Sequence, residues 1–354
     1  MKRARLAIAV VALLGVEARA RAAAISIDVA DGAGEGFNDP TAFSPGGGNT
    51  ATTLGGARLV VFQTAAAIWG ARLASPVPIH VSAVFDPLPC TSTQATLGAA
   101  GAETVHQNFP SAPRADTWYP QALANALARQ DLDPTSPDIT AEFNSTLDTG
   151  TCLGGATWYY GLDAHPPAGK LDLLTVLLHE LAHGLGFMTW VDPSTGERLL
   201  GADDVFSASL ARYGATPTRF TDMTDAQRAS AATSDPNLVW LGPIVDAAGA
   251  TTLTAGLTSG DVRLHAPATL TPGSSVSHYS TALTPNELME PFYTGPDHDV
   301  TLTLDLLRDV GWSSTPPVVP ATPPWTSAAF ALALFACGAR SRRAGQRAAV
   351  VRDA

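Results

Sequence analysis

HELAHGLGFMT, residues 179–189, closes the apolar run LDLLTVLLHELAHGLGF that begins at Leu171. The run is apolar on almost every face, and a helix with no polar side is one buried among other elements. On such a helix His179 and His183, four residues apart, project from one face about a turn from each other, with Glu180 beside them. Three ionisable groups placed there carry a desolvation cost that falls only if something pairs with them. A divalent cation does that. Gly184 and Gly186 come next and are expected to end the helix and let the chain turn away.

The bland reading is that HExxH is a five-residue pattern that also arises by chance, its histidines hydrogen-bonded in a core. The buried setting argues for metal. Zinc on neutral imidazoles lowers the pKa of a bound water to about 7, and a carboxylate such as Glu180 can take the proton released. Hydrolysis of a peptide bond is the reaction this arrangement serves best. A catalytic zinc takes three protein ligands, however, and this stretch offers two. Glu197, His265, His278 and His298 are the candidates for the third. Glu197 lies in VDPSTGERLL, a Pro- and Gly-containing turn, and would make the site thermolysin-like. His265 and His298 read as surface or loop histidines, and His80, in VPIHVSAVF, as a structural one.

His278 is set apart by what surrounds it, SHYSTALTPNELMEP, residues 277–291. The short metzincin spacing HExxHxxGxxH fails here, because Thr189 stands where its third histidine would be. HELAHGLGF followed much later by a histidine and then ELMEP resembles the leishmanolysin family of metzincins, in which a large insertion separates the helix glycine from the third ligand. The resemblance implies that His278 completes a site for one zinc ion with His179 and His183. It also implies that Met289 is the Met-turn residue beneath the metal and that residues 188 to about 277 are the insertion. WYYGLD before the helix and the closing DVGW resemble secreted bacterial peptidases of this type. No cysteine lies between the expected signal and the first strand, so the cysteine-based latency of the leishmanolysin family is not supported by this sequence. Tyr279 and Tyr293 are near enough in sequence to assist at an oxyanion, with nothing to distinguish them from packing aromatics.

MKRAR, an apolar run from Leu6 to Val16 and small residues to Ala24 have the order of a secretory signal, so residues 1–24 are set aside. At the other end SSTPPVVPATPP is a Pro-rich spacer (314–324 as a linker), and WTSAAFALALFACGA with the arginines after it (325–354) resembles the sorting tails of some Gram-negative surface and secreted proteins. Transient contact of that tail with a membrane or with sorting machinery is expected, and export to the medium or the cell surface of a Gram-negative bacterium. Residues 1–24 carry five bases and one acid, and residues 325–354 five arginines and Asp353; removing both from the net −11 leaves about −19 for the body. So acidic a body disfavours nucleic acid and anionic membrane as partners. A protein or peptide substrate is compatible with it. In an exported chain Cys90 and Cys152 are the natural disulfide pair, with Cys337 left in the tail.

Within the body, residues 25–50 open as a strand and pass into a loop. ARLVVFQTAAAIWGARL and YPQALANALARQDL read as helices, and VPIHVSAVF, DITAEFNS and ATWYYGLD as strands. MTDAQRASAA reads as a helix, LVWLGPIV as a strand and LTLDLLRDVGW as a closing helix. The expectation is an α+β chain of metzincin type: an N-terminal catalytic subdomain with a twisted sheet (25–187), and a mostly irregular or helical C-terminal subdomain with the third ligand and the Met-turn (188–313). Substrate should lie in the cleft between them. A thermolysin-like peptidase using Glu197 and a catalytically idle surface binding or adhesion protein are the rival readings.

Overall fold

The alternating start of the body forms strand β1 (Ile25–Val29), and the first expected helix forms α1 (Leu54–Arg72). The helix begins three residues before the apolar pattern does, because Thr53 caps it with a side-chain oxygen that accepts from the Gly56 amide. The short β2 (Leu73–Ala74) follows, then β3 (Ile79–Asp86) and β4 (Gly98–Ala102). After them come β5 (Val105–His106), β6 (Thr117–Pro120), α2 (Gln121–Ala128) and β7 (Ile139–Asn144). This is a computed structural model, and it describes residues 21–314. The expected linker from residue 315, the apolar and Arg-rich tail with Cys337, and the expected signal up to residue 20 lie outside the described residues. Arg21–Ala24 belong to the body: the Arg21 and Ala24 carbonyls accept from Ser75 and Ile79, and Ala23 is buried.

The main sheet has the order β1-β3-β7-β4. Its first three strands are parallel, with Ile25 opposite Ile79 and Val81 opposite Ile139, and β4 closes it antiparallel with Gly98 opposite Phe143. Ile79, Val81, Ala83 and Phe85 alternate into the core, as the period-2 pattern requires. Helix α1 and a second long helix, α3 (Leu173–Leu185), cover that face; the buried Trp69 indole of α1 donates to the Leu178 carbonyl of α3 at 3.1 Å.

Strands β8 (Thr157–Tyr159) and β9 (Lys170–Asp172) pair in parallel and deliver the chain into α3 (Leu173–Leu185). Asp172 caps it, accepting from the Thr175 amide at 2.8 Å and from the Thr175 hydroxyl at 2.9 Å. Every residue of α3 except His179 is buried, as its apolar surround demands. Each of its leucines removed from water contributes roughly 1.5–3 kcal/mol. The two glycines divide their tasks. Gly186 is the C-cap, with φ 120°, a conformation that favours glycine. Gly184, expected to help end the helix, is inside it: a Cβ there would stand 2.5 Å from Ile139 of β7, so its role is close packing of helix on sheet.

Beyond α3 the chain is more irregular. It makes β10 (Asp203–Asp204), β11 (Leu210–Arg212), β12 (Thr218–Arg219), α4 (Asp225–Ala231), β13 (Leu238–Trp240), α5 (Pro243–Thr252) and α6 (Thr301–Val310). The expected strand LVWLGPIV stops at Trp240, because Pro243 occupies the first turn of α5, where its fixed φ and missing N–H fit a helix start. α6 ends at Gly311, and the indole of Trp312 donates to the Leu185 carbonyl at 2.8 Å, tying the closing helix to the end of α3. Ser313–Ser314 then pairs with β2. The described residues form a mixed α+β fold with six α-helices and several small sheets, and residues 25–187 and 188–313 share one compact unit. None of its helices is long and apolar enough to cross a membrane.

Candidate metal centre

His179 and His183 leave α3 on one face, and His278 reaches them from the opposite end of a 99-residue separation. The segment carrying His278 is held by a short antiparallel pairing, Leu264 opposite Tyr279, with the His265 amide donating to the His278 carbonyl at 2.8 Å. The three Nε2 atoms lie 3.1, 3.1 and 3.2 Å apart. Each ring has its Nδ1 2.8 Å from a backbone carbonyl: Leu288 for His179, Phe187 for His183 and Ser274 for His278. A carbonyl can only accept, so each Nδ1 carries the hydrogen and each Nε2 of a neutral ring presents a bare lone pair.

Three lone pairs aimed at one another without a proton between them repel. Burial also holds all three rings neutral: it lowers His179 to about 4 and His183 to about 3, and His278 well below its usual value. A shared cation resolves the repulsion. Zinc held tetrahedrally at about 2.0–2.1 Å would set neighbouring nitrogens about 3.3 Å apart, close to what the three rings show. The donor set therefore fits a zinc ion, with the carbonyls fixing tautomer and ring orientation. Among the described residues no other group of histidines, cysteines and carboxylates is arranged to hold a metal.

Glu180 is buried beside this cluster. Burial, first, and the charge of Glu142 push its carboxyl up to about 8, while the Ala100 amide of β4 works the other way. β4 lies directly over it: a Cβ added at Gly98 would stand 3.2 Å from the Glu180 Cγ. β4 pairs with β7 on one side only, and among the described residues no strand covers its other edge.

The remaining candidates separate clearly. Glu197 is exposed in its turn, its amide bonded to the Thr195 hydroxyl, and is not part of the cluster. His265, read from sequence as a surface or loop residue, is buried at 8% exposure beside Phe292; its place opposite His278 in the ladder puts it in the interior. His298 is likewise only partly exposed, its Nε2 2.9 Å from Asp172 Oδ1 at the start of α3. His80 stands on the exposed face of β3, its Nδ1 3.3 Å from both Ser26 Oγ and Asp28 Oδ2 of β1. The Tyr279 hydroxyl donates to the Leu302 carbonyl and the Tyr293 hydroxyl accepts from the Asp172 amide, so both tyrosines brace the framework. Met289 is fully buried; its carbonyl accepts from the Tyr279 amide, and its neighbour Leu288 holds His179. Cys90 and Cys152 form a disulfide, with Cα atoms 5.7 Å apart.

Sequence reading missed three groups that link the chain just after α3 to the residue before His278: Thr189, Asp204 and Ser277. The Asp204 carboxylate accepts from the Thr189 hydroxyl and the Trp190 amide, and Ser277 Oγ accepts from the Thr189 amide. The signal available was DVFS, residues 204–207, in which Asp204 and Ser207 cap each other's amides.

Residues 71–227 match the model of a family described as SPBPB7E8-like. The matched span contains His179, Glu180, His183 and both disulfide cysteines and stops short of His278. No curated protein and no solved structure matches the chain.

Proposed function

We propose that this chain is an exported zinc-dependent endopeptidase of metzincin type, similar to the leishmanolysin family, in which His179, His183 and His278 hold one zinc ion and Glu180 is the general base and later proton donor. The observation that carries the proposal is the trio of bare Nε2 atoms within 3.2 Å of one another. When bound, the ion supplies an acidified water and a positive charge that polarises a carbonyl. The chain's own part is to hold three neutral imidazoles in one tautomer and to keep the Glu180 carboxyl beside them in a site largely shut off from water, where the charge of a bound cation would favour its ionised form. Met289, buried and next in sequence to the Leu288 carbonyl that takes the His179 hydrogen, would be the Met-turn residue.

The free edge of β4 supports a protein or peptide substrate. Its unpaired amides and carbonyls can take up an extended peptide as one more strand, and the Glu180 carboxyl lies beneath that strand. A chain bound along an edge has no end that must be recognised, which favours cleavage within it. Metal analysis with a casein digestion tests the reading. The wild type should contain one zinc per chain and digest casein; Glu180→Gln should keep the zinc and lose the digestion. A wild type as inactive as the variant would favour a binding or adhesion protein on the same fold.

A further inference from the structure

The expected insertion leaves at Met188, three residues past the end of α3, and returns at Ser277, immediately before the third histidine. At that neck the two strands of chain are joined through side chains. The Thr189 amide donates to Ser277 Oγ at 3.1 Å across a separation of 88 residues. The Thr189 hydroxyl donates to Asp204 Oδ2 at 2.7 Å, and the Trp190 amide donates to the same oxygen at 3.0 Å. Asp204, 1% exposed, is fixed in turn by the Ser207 amide on its other oxygen at 2.6 Å. Thr189 is the residue that stands six positions after His183.

We propose that Thr189, Asp204 and Ser277 form a clamp that positions His278 for metal, doing through hydrogen bonds what a short covalent connection does when the third ligand follows directly on the helix. The inference rests on the zinc reading of the three-histidine site. Its physical basis is entropic. A ligand at the far end of a long insertion must be brought back to the helix against a closure cost that grows with the logarithm of loop length. If that cost is met before the ion arrives, affinity rises. Ser277 adjoins the ligand in the chain, so its bond fixes the backbone from which the His278 ring projects, and the Ser274 carbonyl fixes the ring itself. These three are positioning residues: none of them is among the metal-holding groups.

The test is the zinc dissociation constant of the full chain with its disulfide intact, measured by competition with a chelator at fixed pH, alongside the unfolding midpoint of the metal-free protein. Ser277→Ala, which loses the bond across the neck, should weaken zinc binding about 10–100-fold, the range for losing a group that orients a ligand; Thr189→Val keeps its amide bond to Ser277 and loses only the hydroxyl bond to Asp204, so it should weaken binding measurably but less. Ser277→Thr, which keeps the hydroxyl, should restore it. Ser234→Ala removes a comparable buried bond, Ser234 Oγ to the Ala231 carbonyl, elsewhere in the insertion. It should shift the midpoint and leave zinc affinity alone. Wild-type affinity in Ser277→Ala and Thr189→Val, or an equal loss in Ser234→Ala, would overturn the clamp while leaving the zinc site standing. A wild type that binds no zinc would overturn both.

Discussion

Histidine chemistry at this centre is decided by carbonyls as much as by rings. Because Leu288, Phe187 and Ser274 each take one Nδ1 hydrogen, the three Nε2 atoms have no donor role left and face one another as bare lone pairs, open to a cation or to a donated hydrogen. His278→Ala should therefore abolish tight zinc binding in a chelator competition, whereas Glu197→Ala should leave it unchanged; the reverse pattern would point to a thermolysin-like site. Glu180→Gln keeps the shape of the side chain and removes the base, so casein hydrolysis should fall by roughly 10²–10⁴ with zinc content intact. At this scale the sequence was most informative for His179, Glu180 and His183, whose spacing is a local property of one helix. His278 came only from a resemblance, since nothing in spacing alone separates it from His265 or His298. The burial of His265 was not legible, because it depends on a ladder formed between residues far from any periodic pattern.

Two elements place those groups, and each can be perturbed. The start of α3 hangs on Asp172, whose Oδ1 takes the Thr175 amide, the Thr175 hydroxyl and His298. Removing it in Asp172→Ala should cost about 1–2 kcal/mol in a urea titration, the upper part of the range for a lost N-cap. β4 is the second. A side chain at Gly98 would meet Phe143 at 3.0 Å and Glu180 at 3.2 Å, so Gly98→Val should depress casein hydrolysis more than zinc content, and an unaffected rate would argue against β4 as the roof of the site. Long periodic segments such as α1 and α3, and the alternating β3 and β7, were readable from pattern. β4 was not: GAAGA lacks the β-branched and aromatic residues that mark strands, and it is a strand because β7 pairs with it. Gly184 was misplaced as a terminator for a related reason, since its use is set by Ile139 on another element.

Across the whole molecule, excess acid is the dominant feature, and part of it is buried. Desolvation, with Asp261 and Asp309 nearby, pushes the Asp246 carboxyl up to about 7 from an ordinary 3.8. The native state thus holds a proton that the unfolded chain has released, and stability from this group declines as pH rises from about 4 to about 7. Asp246→Asn keeps an oxygen for the Val262 amide and removes the charge, so it should raise the thermal midpoint more at pH 8 than at pH 5. The disulfide acts at the same scale: closing a 62-residue separation, it should contribute about 4 kcal/mol by the loop-entropy relation, read as the loss of stability in a Cys90→Ala/Cys152→Ala double variant. Pairing of these cysteines was legible from their count and from the expectation of export, whereas the packing of residues 188–313 was not, because it rests on turns, caps and side-chain bonds more than on periodicity. Everything proposed for the molecule depends on three imidazoles sharing one ion. X-ray absorption at the zinc edge of the loaded protein measures that directly: the account predicts three histidine nitrogens at about 2.0–2.1 Å, reduced to two in His278→Ala. A zinc environment that the substitution leaves unchanged would contradict it.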